Sequence, residues 1–298
     1  MTKPMMKPLR RWSLSIALVS SAFLFMSPLA CSANDAPPLI LMEKSIATLS
    51  PEAMSALVNV DVVYLGERHD SEADHAAQLD IIKGIYAENP DMAIGLEMFQ
   101  RPFQPIIDRY LAGELAEAEL VEQTEYWERW SFPWEFYAPV VRFAKEHQLP
   151  VLALNAPAEI TRQVAREGLD SLAEEDFRYI PPIAEIDTSN ADYQAFVTEA
   201  FGAHGSHGNF DFDNFFAAQV IWDETMASTI AAFKQTSPET LVVVLAGTGH
   251  VIYGYGIPDR VARRLGDELQ QTKVLLNFPE DRLNGEAGAI ADILWYSP

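Results

Sequence analysis

Five short apolar runs, at residues 60–65, 92–96, 151–154, 241–246 and 273–278, punctuate the chain. They are almost unbroken in Val, Ile and Leu, as strands covered on both faces are, and each is too short for a helix. Helical patterns lie between them. Residues 71–88 open on Ser71-x-x-Asp74, a capping signal, and carry Ala76, Leu79, Ile82 and Tyr86 on one stripe. Residues 258–269 begin with a proline, which suits a first helical turn. The alternation predicts an α/β fold: a mainly parallel β-sheet flanked by helices. Two connections, 97–150 and 155–239, are longer than a crossover needs. They hold helical patterns at 102–111, 134–147 and 211–233. These predict a smaller all-helical subdomain, inserted around 100–148 and 157–238 over one end of the sheet.

The residues that end the strands are polar. The first run leads into Gly66-Glu67-Arg68-His69-Asp70, the second into Glu97, the third into Asn155 and the fourth into Gly247-Thr248-Gly249-His250. In an open parallel sheet, ligands bind outside the carboxyl ends of the strands. Residues far apart in sequence are therefore expected to meet in one cleft. Two carboxylates and two imidazoles suit general acid–base work or a divalent metal ion, with Glu67, His69 and His250 as ligands. The ordinary alternative is that they satisfy one another beneath the loops. The Gly-rich turn before His250 lacks the lysine of a phosphate-binding loop and the dinucleotide fingerprint, which argues against a nucleotide site.

Within 211–233, Phe212, Phe215, Gln219, Trp222, Asp223 and Met226 recur at helical spacing. A carboxylate in such a stripe needs a partner: Asp223 either reaches the cleft, the favoured reading, or bonds to a loop or an arginine. Asn155 either joins the cleft or closes a turn. His204 and His207 lie in a Gly-rich loop, which is either a solvated loop or a source of ligands for a metal or a haem iron. His75, in the first turns of its helix, either lines the cleft or belongs to core or surface, and His147, near a helix end, is expected at the surface. Aromatic side chains crowd residues 126–137, as a helical core or a flat ligand would require. Tyr137 and Tyr253 stand near the polar positions, and a tyrosine phenolate can serve as an axial ligand to ferric haem.

The chain has 43 acidic and 21 basic residues, a formal charge of −22, which disfavours nucleic acid and anionic lipid surfaces as partners. Its first 30 residues read as a signal peptide: Lys3, Lys7, Arg10 and Arg11, an apolar run over 13–26, then small residues. Cys31 is the sole cysteine, so disulfides and cysteine-ligated zinc are excluded from the body. Leu29-Ala30-Cys31 is an imperfect lipidation signal, since Pro28 stands where Leu is usual. Cys31 as lipid anchor, a tether over 31–38 and a body over 39–298 are the expected organisation. The exported protein would be tethered to the outer membrane facing the periplasm, or soluble in the periplasm if cleavage is ordinary.

The ordered set Gly66-Glu67-x-His69-Asp70, Gly95-Leu-Glu97-Met-Phe99, Ala153-Leu-Asn155-Ala, Gln219-x-x-Trp222-Asp223-x-x-Met226-Ala and Ala246-Gly-x-Gly-His250, followed by Gly256-Ile-Pro258, resembles the ChaN family over about residues 40–270. These are exported, often lipid-anchored haem-binding proteins linked to iron uptake. The wider group includes erythromycin esterases and Tiki-type metal-dependent peptidases. The resemblance implies a parallel-sheet domain with a smaller helical one, haem with its iron on a tyrosine, and a homodimer coupled to haem. Glu67, His69, Glu97, Asn155, Asp223 and His250 match the family's signature positions. Two functional readings follow: a haem-binding protein of iron acquisition, or a metal-dependent hydrolase working through the same cleft.

Overall fold

The computed structural model describes residues 41–45, 49–202, 211–279 and 290–297. In chain order the elements are β1 (Leu41–Glu43), α1 (Pro51–Val58), β2 (Val62–Glu67), α2 (Glu72–Glu88), β3 (Met92–Gln100), α3 (Gln104–Leu111), α4 (Glu117–Gln123), α5 (Tyr126–Arg129), α6 (Trp134–Glu146), β4 (Val151–Asn155), α7 (Ala158–Glu167), α8 (Ala191–Gly202), α9 (Phe212–Thr236), β5 (Leu241–Gly247), α10 (Ile257–Leu265), β6 (Gln271–Leu276) and β7 (Ile293–Trp295). The strands form a seven-stranded sheet in the order β1-β7-β6-β2-β5-β3-β4. Every neighbouring pair is parallel.

All five predicted strands are present, and the α/β class stands. β1 and β7 were not foreseen. At three residues each they leave no periodic pattern to read. The stripe expected on α2 is displaced by about one residue: Ala76 is exposed, and the buried face runs through Ala77, Ile81, Ile82 and Ile85. That face also buries Asp74, His75 and Gln78, so its first turns are polar and mislead a search for apolar periodicity alone.

Side chains alternate between two cores, as the two-residue period of a strand dictates. Val63 and Leu65 join Ile94, Leu96, Val243 and Leu245 on the face packed by α1, α2 and α3 to α6. Val62 and Tyr64 join Val242, Val244 and Leu275 on the opposite face, against Met226, Ala227 and Ile230 of α9 and Val261 of α10. Leucine- and valine-sized groups buried this way contribute about 1.5–3 kcal/mol each, so the central strands are strongly held.

α10 is fastened to α9 by charge as well. Glu224 of α9 is fully buried and lies 3.2 Å from Arg260 Nε, 2.6 Å from Arg263 Nη2 and 2.7 Å from Arg264 Nη2. Arg260 also donates to the carbonyls of Gly256 (3.0 Å), Tyr255 and Asp187 (3.2 Å). One buried carboxylate thereby fixes the turn that leads into α10.

Candidate functional site

The polar strand exits meet at the carboxyl edge of β2, β5 and β3. The β2–β5 register sets Glu67 beside Gly247, and β3 runs on past its last pair with β5 to carry Glu97. By the strand period Glu67 takes the face of Val63 and Leu65, toward α2 and α6, while Glu97 takes the other. His69 rounds the edge between them. Ser71 begins α2: its Oγ accepts from the Asp74 N–H (3.2 Å) and donates to Asp74 Oδ1 (2.7 Å). The Arg68 N–H donates to Asp74 Oδ2 (2.8 Å), which ties the loop carrying His69 to that cap.

A continuous chain of contacts results. Tyr137 donates its phenolic proton to Glu67 Oε1 (2.8 Å), and Gln78 donates to Glu67 Oε2. His69 Nδ1 lies 2.7 Å from Glu67 Oε1, and His69 Nε2 faces Glu97 Oε1 at 3.9 Å. His250 Nε2 faces the same oxygen at 3.5 Å, with His250 Nδ1 2.7 Å from Asp223 Oδ1. Tyr193 closes the far end by donating to Asp223 Oδ2 (2.7 Å), and Gln219 donates to Tyr193 Oη (3.2 Å). Glu97 Oε2 accepts from the Gly247 N–H (2.7 Å). A Cβ at position 247 would stand 2.9 Å from His69 Nε2, and one at 256 would stand 2.4 Å from the His250 carbonyl oxygen. Glycine at 247 leaves room for the His69 imidazole, and glycine at 256 leaves room for the His250 backbone carbonyl and the Asp223 carboxylate.

Glu67, Glu97, Asp223 and His250 are buried, whereas the His69 side chain keeps 25% of its exposure. Trp130 and Phe132 flank it, each with its ring 4.9 Å away. Burial opposes ionisation of Glu97, yet the facing charges of His250 and His69 and the Gly247 N–H hold its pKa at about 2. Burial likewise opposes charge on His250, but Glu97 and Asp223 raise it to about 10. His69 is raised too, burial being outweighed by Glu97 and Glu67. Near neutrality the site therefore holds a carboxylate clasped by a cationic imidazole, with the second imidazole at the mouth. Such a site stores a proton and can pass it to a group docked beside His69.

Of the six cleft residues expected from the sequence, Glu67, His69, Glu97, Asp223 and His250 are brought together. Asn155 is not part of the chain of contacts: its Oδ1 accepts from the Ala156 N–H (2.9 Å) and closes the exit of β4. The expected metal set of Glu67, His69 and His250 does not converge. Both Glu67 oxygens are engaged by Tyr137, His69 and Gln78, and His250 lies beyond Glu97. Among the described residues no group of three or more His, Cys, Asp or Glu is placed to hold a metal ion. His204, His207 and Cys31, with the signal peptide and tether, lie outside the described residues.

The two candidate tyrosines differ. Tyr137 is buried beneath the cleft, and its pKa is raised far above the usual phenol value by burial and by the Glu67 carboxylate. Tyr253 is half-buried on the turn before α10, with a positive φ of 59°. Its ring stacks on Tyr255 (5.2 Å) and meets Phe196 edge-on (5.9 Å). Three members of the site were not singled out from the sequence. Gln78 follows His75 by three positions on α2, a helical spacing that would have found it. Tyr193 lies 30 residues before Asp223 with no motif around it. Trp130 belongs to an aromatic cluster that suits a helical core or a flat ligand, and its contact with His69 comes only from the fold.

Comparison with known proteins matches this architecture. The model of the family described as haem-binding uptake, Tiki superfamily, ChaN covers residues 53–261. Protein RETICULATA-RELATED 5, chloroplastic, of Arabidopsis thaliana is 25% identical over 264 residues, which is 81% of this chain and 34% of that protein. The chain thus spans about a third of that relative's length. Among solved structures, ChaN of Campylobacter jejuni, described with cofacial haem binding, has a TM-score of 0.63 at 17% identity, covering 86% of this chain and 98% of its own. An open-conformation erythromycin esterase mutant, EreC, is more distant, with a TM-score of 0.45 at 13% identity over 75% of this chain and 71% of its own. With the family model spanning more than half of its length, the chain belongs to the haem-binding uptake family of the Tiki superfamily, the ChaN family.

Proposed function

We propose that this chain is an exported haem-binding protein of haem and iron acquisition, with ferric haem held on the Tyr253 phenolate at the interface of a homodimer. The match to the haem-binding uptake family carries the reading. The residues around Tyr253 fit a porphyrin: a partly buried tyrosine supplies a ligand for ferric iron, and the neighbouring rings of Tyr255 and Phe196 offer flat apolar surface. Tyr137 fits less well. Its proton is committed to Glu67, and forming a phenolate there would bury a second negative charge beside the first. Dimerisation follows the cofacial binding described for the Campylobacter protein. Bound haem would supply redox-active iron as cargo, while this chain's residues hold and orient it.

Haemin titration tests the axial ligand. Wild-type protein and Tyr137→Phe should both give a shifted Soret band and the charge-transfer band of a tyrosinate–iron(III) centre. Tyr253→Phe should lose that band and bind haemin at least tenfold more weakly. A Tyr253→Phe spectrum identical to wild type removes Tyr253 as ligand, and additive spectra for the wild type remove haem binding itself. Size-exclusion chromatography of the same samples should show dimer only with haemin.

We assign the anchor to Cys31. Metabolic labelling with an alkyne fatty acid should mark the wild-type chain and leave Cys31→Ser unlabelled. Equal labelling of the two would rule the anchor out.

A further inference from the structure

A second recessed surface shares no residue with the chain of contacts described above. It is a groove of about 520 Å³ over α4, α5 and the start of α6, walled by Trp127 and Trp134 and rimmed by Glu117, Glu122 and Glu128. Trp127 is 57% exposed, and among the described residues only Ile183 is a comparably exposed large apolar side chain. It is held from behind. Tyr126 is buried, donates its hydroxyl to the Phe132 carbonyl (3.0 Å), and meets Trp127 edge-on at 5.2 Å and Trp134 at 5.1 Å. Trp134 is fixed in turn, since its Nε1 donates to Glu117 Oε1 (2.8 Å) and Arg142 clamps the same carboxylate (2.6 Å). Two indoles are therefore preset around one tyrosine. Glu122 and Glu128 stand at their rim with no side-chain partner among the described residues.

We propose that this groove is a docking site for a basic protein segment, which seats an arginine or lysine side chain over Trp127 between Glu122 and Glu128. An indole face attracts a cation, and nearby carboxylates add to that attraction. The same carboxylates disfavour the alternatives. They repel the propionates of haem, and a second copy of a chain with formal charge −22 brings excess negative charge to an already negative rim. A partner with a cationic tip on an extended segment fits both the charge and the aromatic walls.

The test is fluorescence anisotropy of a blocked, dye-labelled tri-arginine peptide on the full chain, with a tri-glutamate peptide as control. Saturable tri-arginine binding and none for tri-glutamate are expected. Trp127→Ala leaves net charge unchanged, so it separates the groove from general attraction to an acidic protein. It should weaken binding at least tenfold while the haemin spectrum and melting temperature stay as in wild type. Trp127→Phe should restore part of the loss, and Glu122→Gln with Glu128→Gln should weaken binding several-fold. Wild-type affinity in Trp127→Ala, equal binding of the two peptides, or no saturable binding overturns the proposal.

Discussion

Glu224→Ala should lower the free energy of unfolding by about 3–5 kcal/mol, the loss typical of removing one partner of a buried ion pair. Glu224 is fully buried and takes three guanidinium groups within 3.2 Å. Two of them, on Arg260 and Arg264, are themselves largely shielded from water, so they cannot recover hydration when the carboxylate goes. Arg263 is more exposed and should lose little. The damage should also spread. Arg260 holds the carbonyls of Tyr255 and Gly256, next to the proposed haem ligand, so the variant's haemin spectrum should broaden or weaken along with its stability. Urea denaturation followed by circular dichroism measures the first effect. A midpoint within experimental error of wild type would mean that the cluster contributes nothing net.

Stability should also depend on pH through the carboxylate–imidazole chain. The folded pKa of His250 is raised to about 10 from an ordinary 6.5, so its contribution is complete below about 6.5 and fades as pH climbs through 10. Glu97 is depressed to about 2 from 4.5, so its contribution is complete above about 4.5 and is lost as pH falls through 2. Both shifts describe largely one interaction and are not to be added. The melting temperature should therefore be flat between about pH 4.5 and 6.5 and drop by roughly 5–10 °C by pH 10, as the loss of a buried pair would produce in a chain of this size. His250→Gln should start lower and lose most of the alkaline slope. Parallel alkaline slopes in the two proteins would show that other groups govern that limb.

Much of this site was legible because strand direction converts distant residues into neighbours. Glu67, Glu97 and His250 each follow an apolar run, and parallel pairing alone brings their ends to one edge. Asp223 was visible as a carboxylate in an apolar stripe, and its partner proved to be His250. The rest depended on information the sequence does not carry locally. Asn155 also ends a strand but satisfies its own turn. Tyr137 and Tyr253 are equal candidates for an iron ligand by sequence, and only the fold shows that Tyr137 is buried and donates to Glu67. Tyr193 and Trp130 enter through helix packing, which no spacing rule encodes. The metal reading drew on residue types alone and missed that the oxygens of Glu67 were already engaged.

The strand order has a consequence for the order of assembly. Leu41–Glu43 joins the sheet by pairing with Ile293–Trp295, which also pairs with Gln271–Leu276. Among the described residues, the first strand in chain order must wait for the last before it has a neighbour. One border of the sheet therefore stays open until residues 293–295 are in place, and its closure is a long-range step whose speed is limited by loop closure rather than by local propensity.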